Sequence, residues 1–369
     1  MEWICRLATA EDDPEIRRLL ASSPMPGRIG LTFEREPNYF LGCGTMGRFH
    51  QVLVIRHRSS GELAGLACRA TRPLFVNGQP EEVGYLGQLR VDPRFQGCWL
   101  VTRAFDALRR AHADGRVAGY ITTITEENAP ARGVLVERPR RTFPTYREVD
   151  RLWTLALVLQ RRARVCEQRT YELETGSPAD LAAIAGFLRE HGARKQFFPV
   201  YGEADFRDGP TTRGFRSDNF VIARRNGAIA GVLGLWDQSA YKQTVVRSYG
   251  GVLRWARPLY NGASRLTGAP CLPRPGEAIR SVYASFVCVA ENDPAIFRAL
   301  VGCAYALAAG RGFSFLLVGL SARDPLLDVA REYRHIAYAS RLYTVCWKGA
   351  GDFHERIDDR VPYVEIAML

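Results

Sequence analysis

The sequence predicts an α/β protein built as two tandem domains, each a mixed, mostly antiparallel sheet with flanking helices. Three patterns that each occur twice carry this expectation: a strand entering a capped amphipathic helix, a β-hairpin, and a strand–helix–strand crossover. Repeats of this kind decide architecture first, because each copy has to bury its apolar faces in the same way.

The first pattern opens at Trp3-Ile-Cys-Arg-Leu7, passes Thr9 and an acidic turn, and enters Pro14-Glu-Ile-Arg-Arg-Leu-Leu20. It returns at Tyr171-Glu-Leu-Glu-Thr175, where Ser177 as N-cap and Pro178 in the first turn start a helix. The hairpin joins residues 52–56 to 61–67 and, around Arg225-Asn226-Gly227, residues 221–225 to 227–233. The crossover runs from Tyr85 to Ile124 and again from Val282 to Val318. Leu100, Ala104, Ala107, Leu108 and Ala111 mark the first crossover helix; Ile296, Ala299, Leu300, Cys303 and Leu307 mark the second. Strands joined in this way are expected to be parallel neighbours.

The boundary falls in the Arg-rich stretch 161–169, giving domains 1–160 and 170–369. The second half carries a long insert, 237–278, read as an irregular but ordered wall or lid over a cleft.

Composition narrows the class. The 369 residues, 47% hydrophobic and 24% charged, suit two globular domains and argue against a disordered or collagen-like chain. The best apolar run, residues 152–159, is far short of the ~18–20 residues that span a bilayer. The segment from Met1 to Asp13 lacks the basic start and apolar stretch of an export signal, so a cytoplasmic location without a membrane partner is expected. Nine cysteines without a C-x-x-C pair and six dispersed histidines offer neither a disulfide framework nor metal-ligand spacing, and no metal is expected. A net charge of +11 favours anionic partners: a phosphorylated cofactor, an acidic carrier protein or nucleic acid.

The run Val91-Asp-Pro-Arg-Phe-Gln-Gly97, followed by a helix, a strand and Asn128-x-x-Ala131, resembles the GNAT superfamily of N-acyltransferases. The likeness covers most of residues 3–159 and, more faintly, 171–347. It implies that the strand ending at Val91 and the next one splay apart, with the pantetheine arm of acetyl-CoA or another acyl-CoA between them. It further implies a cofactor site of Leu89, Val91, Arg94, Gln96, Gly97, Cys98, Trp99, Leu100, Val101 and Asn128, with pyrophosphate on the helix start near Cys98. A helix start suits an anion because its N–H groups are unpaired and its dipole end is positive. The sequence departs from the family loop at two glycine positions, now Trp99 and Val101. In the second copy Glu291-Asn292-Asp293-Pro294 already puts carboxylates at the helix start, so no acyl-CoA is expected there.

Amide formation needs a deprotonated amine, a polarised thioester carbonyl and a protonated leaving thiolate. Main-chain N–H groups near Arg90 and Val91 are expected to polarise the carbonyl. The strand from Tyr85 to Val91 holds no carboxylate, so Glu127 is the candidate base, with Gln88 and Tyr85 completing the catalytic set. The family's thiolate-protonating tyrosine falls on Leu135. Trp236, Asp237, Tyr241 and Lys242 are expected to line the acceptor pocket, against the competing reading of an Asp–Lys pair on a strand edge. Three functions follow. The first is acyl transfer, acetyl foremost, from acyl-CoA to the amine of a small molecule by direct attack in a ternary complex. The second is acyl or aminoacyl transfer from a carrier protein or an aminoacyl-tRNA, and the third is a non-catalytic ligand-binding protein.

Overall fold

The computed structural model describes residues 2–25, 27–97, 99–160, 171–347 and 353–369, so the linker 161–169 and Cys98 lie outside the described residues. The first half contains β1 (Trp3–Leu7), α1 (Asp13–Ala21), β2 (Ile29–Glu34), α2 (Cys43–Met46), β3 (Phe49–His57), β4 (Leu63–Val76), β5 (Gln79–Val91), α3 (Leu100–His112), β6 (Tyr120–Thr125), α4 (Ala129–Arg132) and β7 (Thr145–Val158). The second half contains β8 (Glu172–Thr175), α5 (Leu181–Gly192), α6 (Glu203–Asp208), β9 (Phe220–Arg225), β10 (Ala228–Trp236), β11 (Gln243–Tyr249), α7 (Leu253–Thr267), β12 (Ser281–Val289), α8 (Pro294–Gly310), β13 (Phe315–Ser321), α9 (Leu326–Arg331) and β14 (His335–Cys346).

Local chemistry accounts for the expected starts and turns. Ser177 donates its hydroxyl to Asp180 at 2.6 Å, closing the cap that precedes α5. Asn226 and Gly227, with φ of 54° and 78°, supply the two left-handed positions that a two-residue hairpin turn needs between β9 and β10.

Twelve strands form one sheet in the order β1-β3-β4-β5-β6-β14-β7-β13-β12-β10-β9-β8. The two crossover pairs, β5 with β6 and β12 with β13, are parallel neighbours as expected, and the other named pairs are antiparallel. The last strands are exchanged between halves: β14 lies against β6, and β7 lies against β13. Accordingly Leu155 and Leu157 of β7 join the core of the second half, while Tyr343 and Val345 of β14 join a core of the first.

The insert 237–278 corrects the expectation of an irregular segment. Its β-branched run Thr244-Val245-Val246 sits in β11, which pairs with β2 from Gln243↔Glu34 to Tyr249↔Ile29. The partner strand lies some two hundred residues away, out of reach of a local reading.

Candidate functional site

Both central strands bend at a bulge. Gln88 in β5 and Phe286 in β12 adopt left-handed φ values of 56° and 57°, and the pairing slips there against β4 and β10. A bulge turns a strand away from its neighbour. The β5–β6 ladder accordingly holds only Gly84↔Tyr120 and Tyr85↔Ile121 before the strands part. Thr122 Oγ1 reaches back to the Leu86 carbonyl at 2.7 Å, at the root of this fork.

At the mouth of the fork the loop from Asp92 to Trp99 leads into α3, whose first turn has no acidic residue. Gly97 is exposed with φ 87°, and a side chain placed there would meet nothing within 4 Å. Trp99 keeps a left-handed backbone (φ 59°) without being glycine, and its side chain points outward, 62% exposed under the Arg140 guanidinium at 3.5 Å. Leu100 and Val101 pack into the core rather than over the loop. Arg94 is committed to Asp92 at 2.8 Å and to Glu62 at 3.2 Å. Asn128 caps α4 by accepting the Ala131 N–H at 3.2 Å.

The second fork is filled by the chain itself. Glu365 Oε2 accepts the Phe286 N–H at 2.7 Å, directly at the bulge, and the Tyr363 hydroxyl accepts the Val287 N–H at 3.3 Å. A Cβ at Gly319 of β13 would run into Ile366, so glycine is what lets this segment lie between β12 and β13. Asp293 accepts the Ala295 N–H at 2.8 Å, occupying the start of α8.

No protein-family model matches the sequence, and no curated protein matches it. Solved structures do. N-myristoyltransferase of Saccharomyces cerevisiae with bound myristoyl-CoA superposes with a TM-score of 0.61 at 10% identity, over 93% of this chain and 82% of that one. A GCN5-related N-acetyltransferase from Sphaerobacter thermophilus gives 0.57 at 14% identity, over 99% and 98%. A fungal glucosamine N-acetyltransferase region of a multi-domain β-N-acetylglucosaminidase gives 0.60 at 15% identity, over 93% of this chain and 38% of that one. The chain has the GNAT fold.

Within this GNAT fold a cavity lies at the root of the first fork, lined among others by Tyr85, Met46, Arg72, Glu365, Met368 and Leu369. Its volume is about 30 Å³, room for a water or two, with the segment 366–369 against one wall. Burial pushes the Tyr85 hydroxyl up to about 12, so it remains a donor at neutral pH. Glu365 is buried, and desolvation pushes its carboxyl up; Oε2 also accepts the Tyr363 O–H at 2.7 Å, whereas Oε1 has only a 3.4 Å contact with the Ala367 N–H.

Buried arginines are the feature that composition did not foretell, and one of them, Arg72, lines the cavity. Arg69 and Arg72 both stand in the buried strand β4. Arg69 is paired to Asp114 at 2.8 Å. Arg72, 8% exposed, lies against Met368 Sδ and 5.8 Å from the Tyr201 ring, and its Nε has no hydrogen-bond partner. Arg35, 4% exposed, lies 5.1 Å from the Tyr39 ring and 3.9 Å from Met46 Sδ, with Nη1 unpartnered. Neither has a carboxylate partner among the described residues.

The expected site residues are only partly brought together. Tyr85 lines the cavity and Gln88 forms the bulge just beyond it. Leu89 and Val91 follow on β5. Glu127 is exposed after β6 and is not part of the cavity lining; Leu135 is core. Trp236 is fully buried, stacked on Phe286, and both Trp236 Nε1 and Tyr241 Oη donate to the Arg213 carbonyl at 3.0 Å, so these two build core instead of lining a pocket. Asp237 is an exposed turn residue that accepts the Ser239 N–H and forms no pair with Lys242. Lys242 turns the other way, donating to the Leu369 and Ala367 carbonyls at 2.7 and 3.2 Å behind the cavity. Glu365 and Arg35 were missed because nothing local marks them. Arg72 had a signal, an arginine inside an apolar strand.

Proposed function

We propose that this chain is an N-acyltransferase that takes an acyl group, acetyl foremost, from acyl-CoA in the fork between β5 and β6. It passes that group to the amine of a small acceptor by direct attack in a ternary complex, with only the water-sized amine nitrogen entering the adjoining cavity. The observation that carries this reading is the contrast between the forks: the second is filled by residues 363–369, while the first has an uncovered Gly97 loop leading to an acid-free helix start. Myristoyl-CoA bound to the yeast neighbour supports the donor class.

In this reading the pantetheine amides pair along the free edge of β5, and the pyrophosphate rests on the start of α3 beside Gln96, Gly97 and Arg140. Main-chain N–H groups past the Gln88 bulge polarise the thioester carbonyl. Glu365, the carboxylate that lines the cavity, replaces Glu127 as the base: Oε1 takes a proton from the acceptor ammonium, and the freed nitrogen attacks the carbonyl carbon. The C–S bond breaks, the thiolate takes a proton from the Tyr85 hydroxyl, and the second proton that the nitrogen sheds on becoming an amide returns to Tyr85. Arg72, buried in the cavity wall with no carboxylate partner among the described residues, suits an acceptor amine that also carries a carboxylate or phosphate.

Calorimetric titration with acetyl-CoA tests the donor site. Gly97→Glu is expected to abolish binding by repelling the pyrophosphate. Gly97→Ala, which adds a similar backbone strain of about 1 kcal/mol without charge, should retain most of it. Equal affinity in Gly97→Glu and the parent removes the loop from the site. Salt-sensitive binding of tRNA with no response to acetyl-CoA moves the donor to the aminoacyl-tRNA class.

A further inference from the structure

Between Asp237 and Glu277 the sequence contains no acid but carries Lys242, Arg247, Arg254, Arg257, Arg265 and Arg274. Helix α7 lies in this stretch. The side turned to the protein carries polar residues beside the half-buried Leu253 and Ala256: Arg257 donates to the Leu272 and Pro273 carbonyls at 3.4 Å, Asn261 both donates to and accepts from the Leu272 backbone at 3.0 and 2.8 Å, and Ser264 is buried. The solvent side is apolar: Val252 is 82% exposed, Trp255 78% and Leu259 79%, spaced three and four residues apart on one stripe. Arg254 flanks the stripe, its guanidinium 5.4 Å from the Trp255 ring, and Arg28 is exposed where its carbonyl accepts the Gly250 N–H just ahead of the helix.

We propose that α7 is a docking element for an anionic lipid surface, lying in the headgroup plane with Val252, Trp255 and Leu259 inserted and the neighbouring arginines on lipid phosphates. A helix that presents Trp and aliphatic residues beside basic ones matches the interfacial class. A second copy of this chain fits less well, because it would bring two acid-free basic stretches face to face. Nucleic acid would use the cations but leave the apolar stripe in water. The contact is with the surface only, since no helix among the described residues is long and apolar enough to cross a bilayer. This replaces the sequence expectation of no membrane partner, and it is independent of the acyltransfer reading because α7 lines neither the fork nor the cavity.

The test is co-sedimentation of the full chain with sucrose-loaded vesicles of phosphatidylcholine alone or mixed in equal parts with phosphatidylglycerol. The expected result is at least about tenfold stronger partitioning onto the anionic vesicles, since each basic residue at the surface adds roughly a fivefold preference. The double variant Trp255→Ser/Leu259→Ser should lose about tenfold or more of it. Both side chains are exposed, so an unchanged melting temperature certifies the variant's fold, and a Trp255→Phe variant should retain binding while losing a blue-shifted emission component. No binding to either vesicle, binding indifferent to the double variant, or a micromolar dimer or nucleic-acid complex abolished by the same variant overturns the proposal.

Discussion

A lysine in water keeps its proton to about pH 10.4. Lys242, enclosed beside the Tyr283 ring and the main chain of residues 367–369, is pulled down to about 7 by desolvation and, secondarily, by Arg35. Below about pH 7 both folded and unfolded chains hold this proton, so the full cost of burying the charge is felt. Between about 7 and 10.4 the unfolded chain holds more protons, so this group makes stability rise with pH. Lys242→Met is therefore expected to melt above the parent at pH 6, with the gap closing as pH approaches 9 in paired thermal melts. Arg72 is the second single-residue test. Arg72→Met keeps the volume and removes the charge. It should raise KM for amines bearing a carboxylate or phosphate by roughly tenfold or more, as loss of a charged hydrogen bond does, while leaving neutral amines unchanged. An equal effect on both acceptor types would make Arg72 a packing residue.

At the scale of elements, the loop before α3 shows a conformation outlasting its usual residue. Trp99 holds a left-handed backbone that costs a non-glycine residue about 1–2 kcal/mol, offset in part by stacking under Arg140. The glycine count alone therefore understates how much of the loop's left-handed backbone is kept. The filled second fork makes its own prediction. Gly319→Ala drives a methyl into Ile366, and overpacking of this kind is expected to cost about 1–3 kcal/mol in urea unfolding. A neutral result would mean that residues 363–369 are not held in that gap. The helix starts, the Asn226-Gly227 turn and both parallel crossovers were legible because caps, turn residues and apolar periodicity act within a few residues. The bulges at Gln88 and Phe286 were not, since neither residue type announces a left-handed backbone. Nor was the β2–β11 pair, whose partners come from opposite halves.

Over the whole molecule, exchange of β7 and β14 means that neither half completes its own sheet. Without β14, β6 becomes a bare edge, and the first half loses the apolar side chains of Tyr343, Val345 and Trp347 from its core. Fragments 1–160 and 170–369 expressed separately are each expected to be poorly folded by circular dichroism and to recover cooperative melting when co-expressed. Two independently melting fragments would contradict this dependence. The same exchange helps bring residues far apart in the chain around one cavity: Tyr85 from β5, Arg72 from β4 and Glu365 from the last few residues. Glu365, far in sequence from the central strand, is the carboxylate among the residues that line this cavity.

By itself the sequence determined the duplicated α/β plan, the parallel crossovers and the positions of the helix starts and turns. All three are written in local signals: apolar period, capping side chains and turn glycines. Only the tertiary structure decided which fork the last residues fill, which half receives each terminal strand, which buried arginines have no carboxylate partner among the described residues and which helix face meets solvent. Those outcomes depend on burial and long-range pairing, and both arise only when distant segments compete for the same edge, gap or charge.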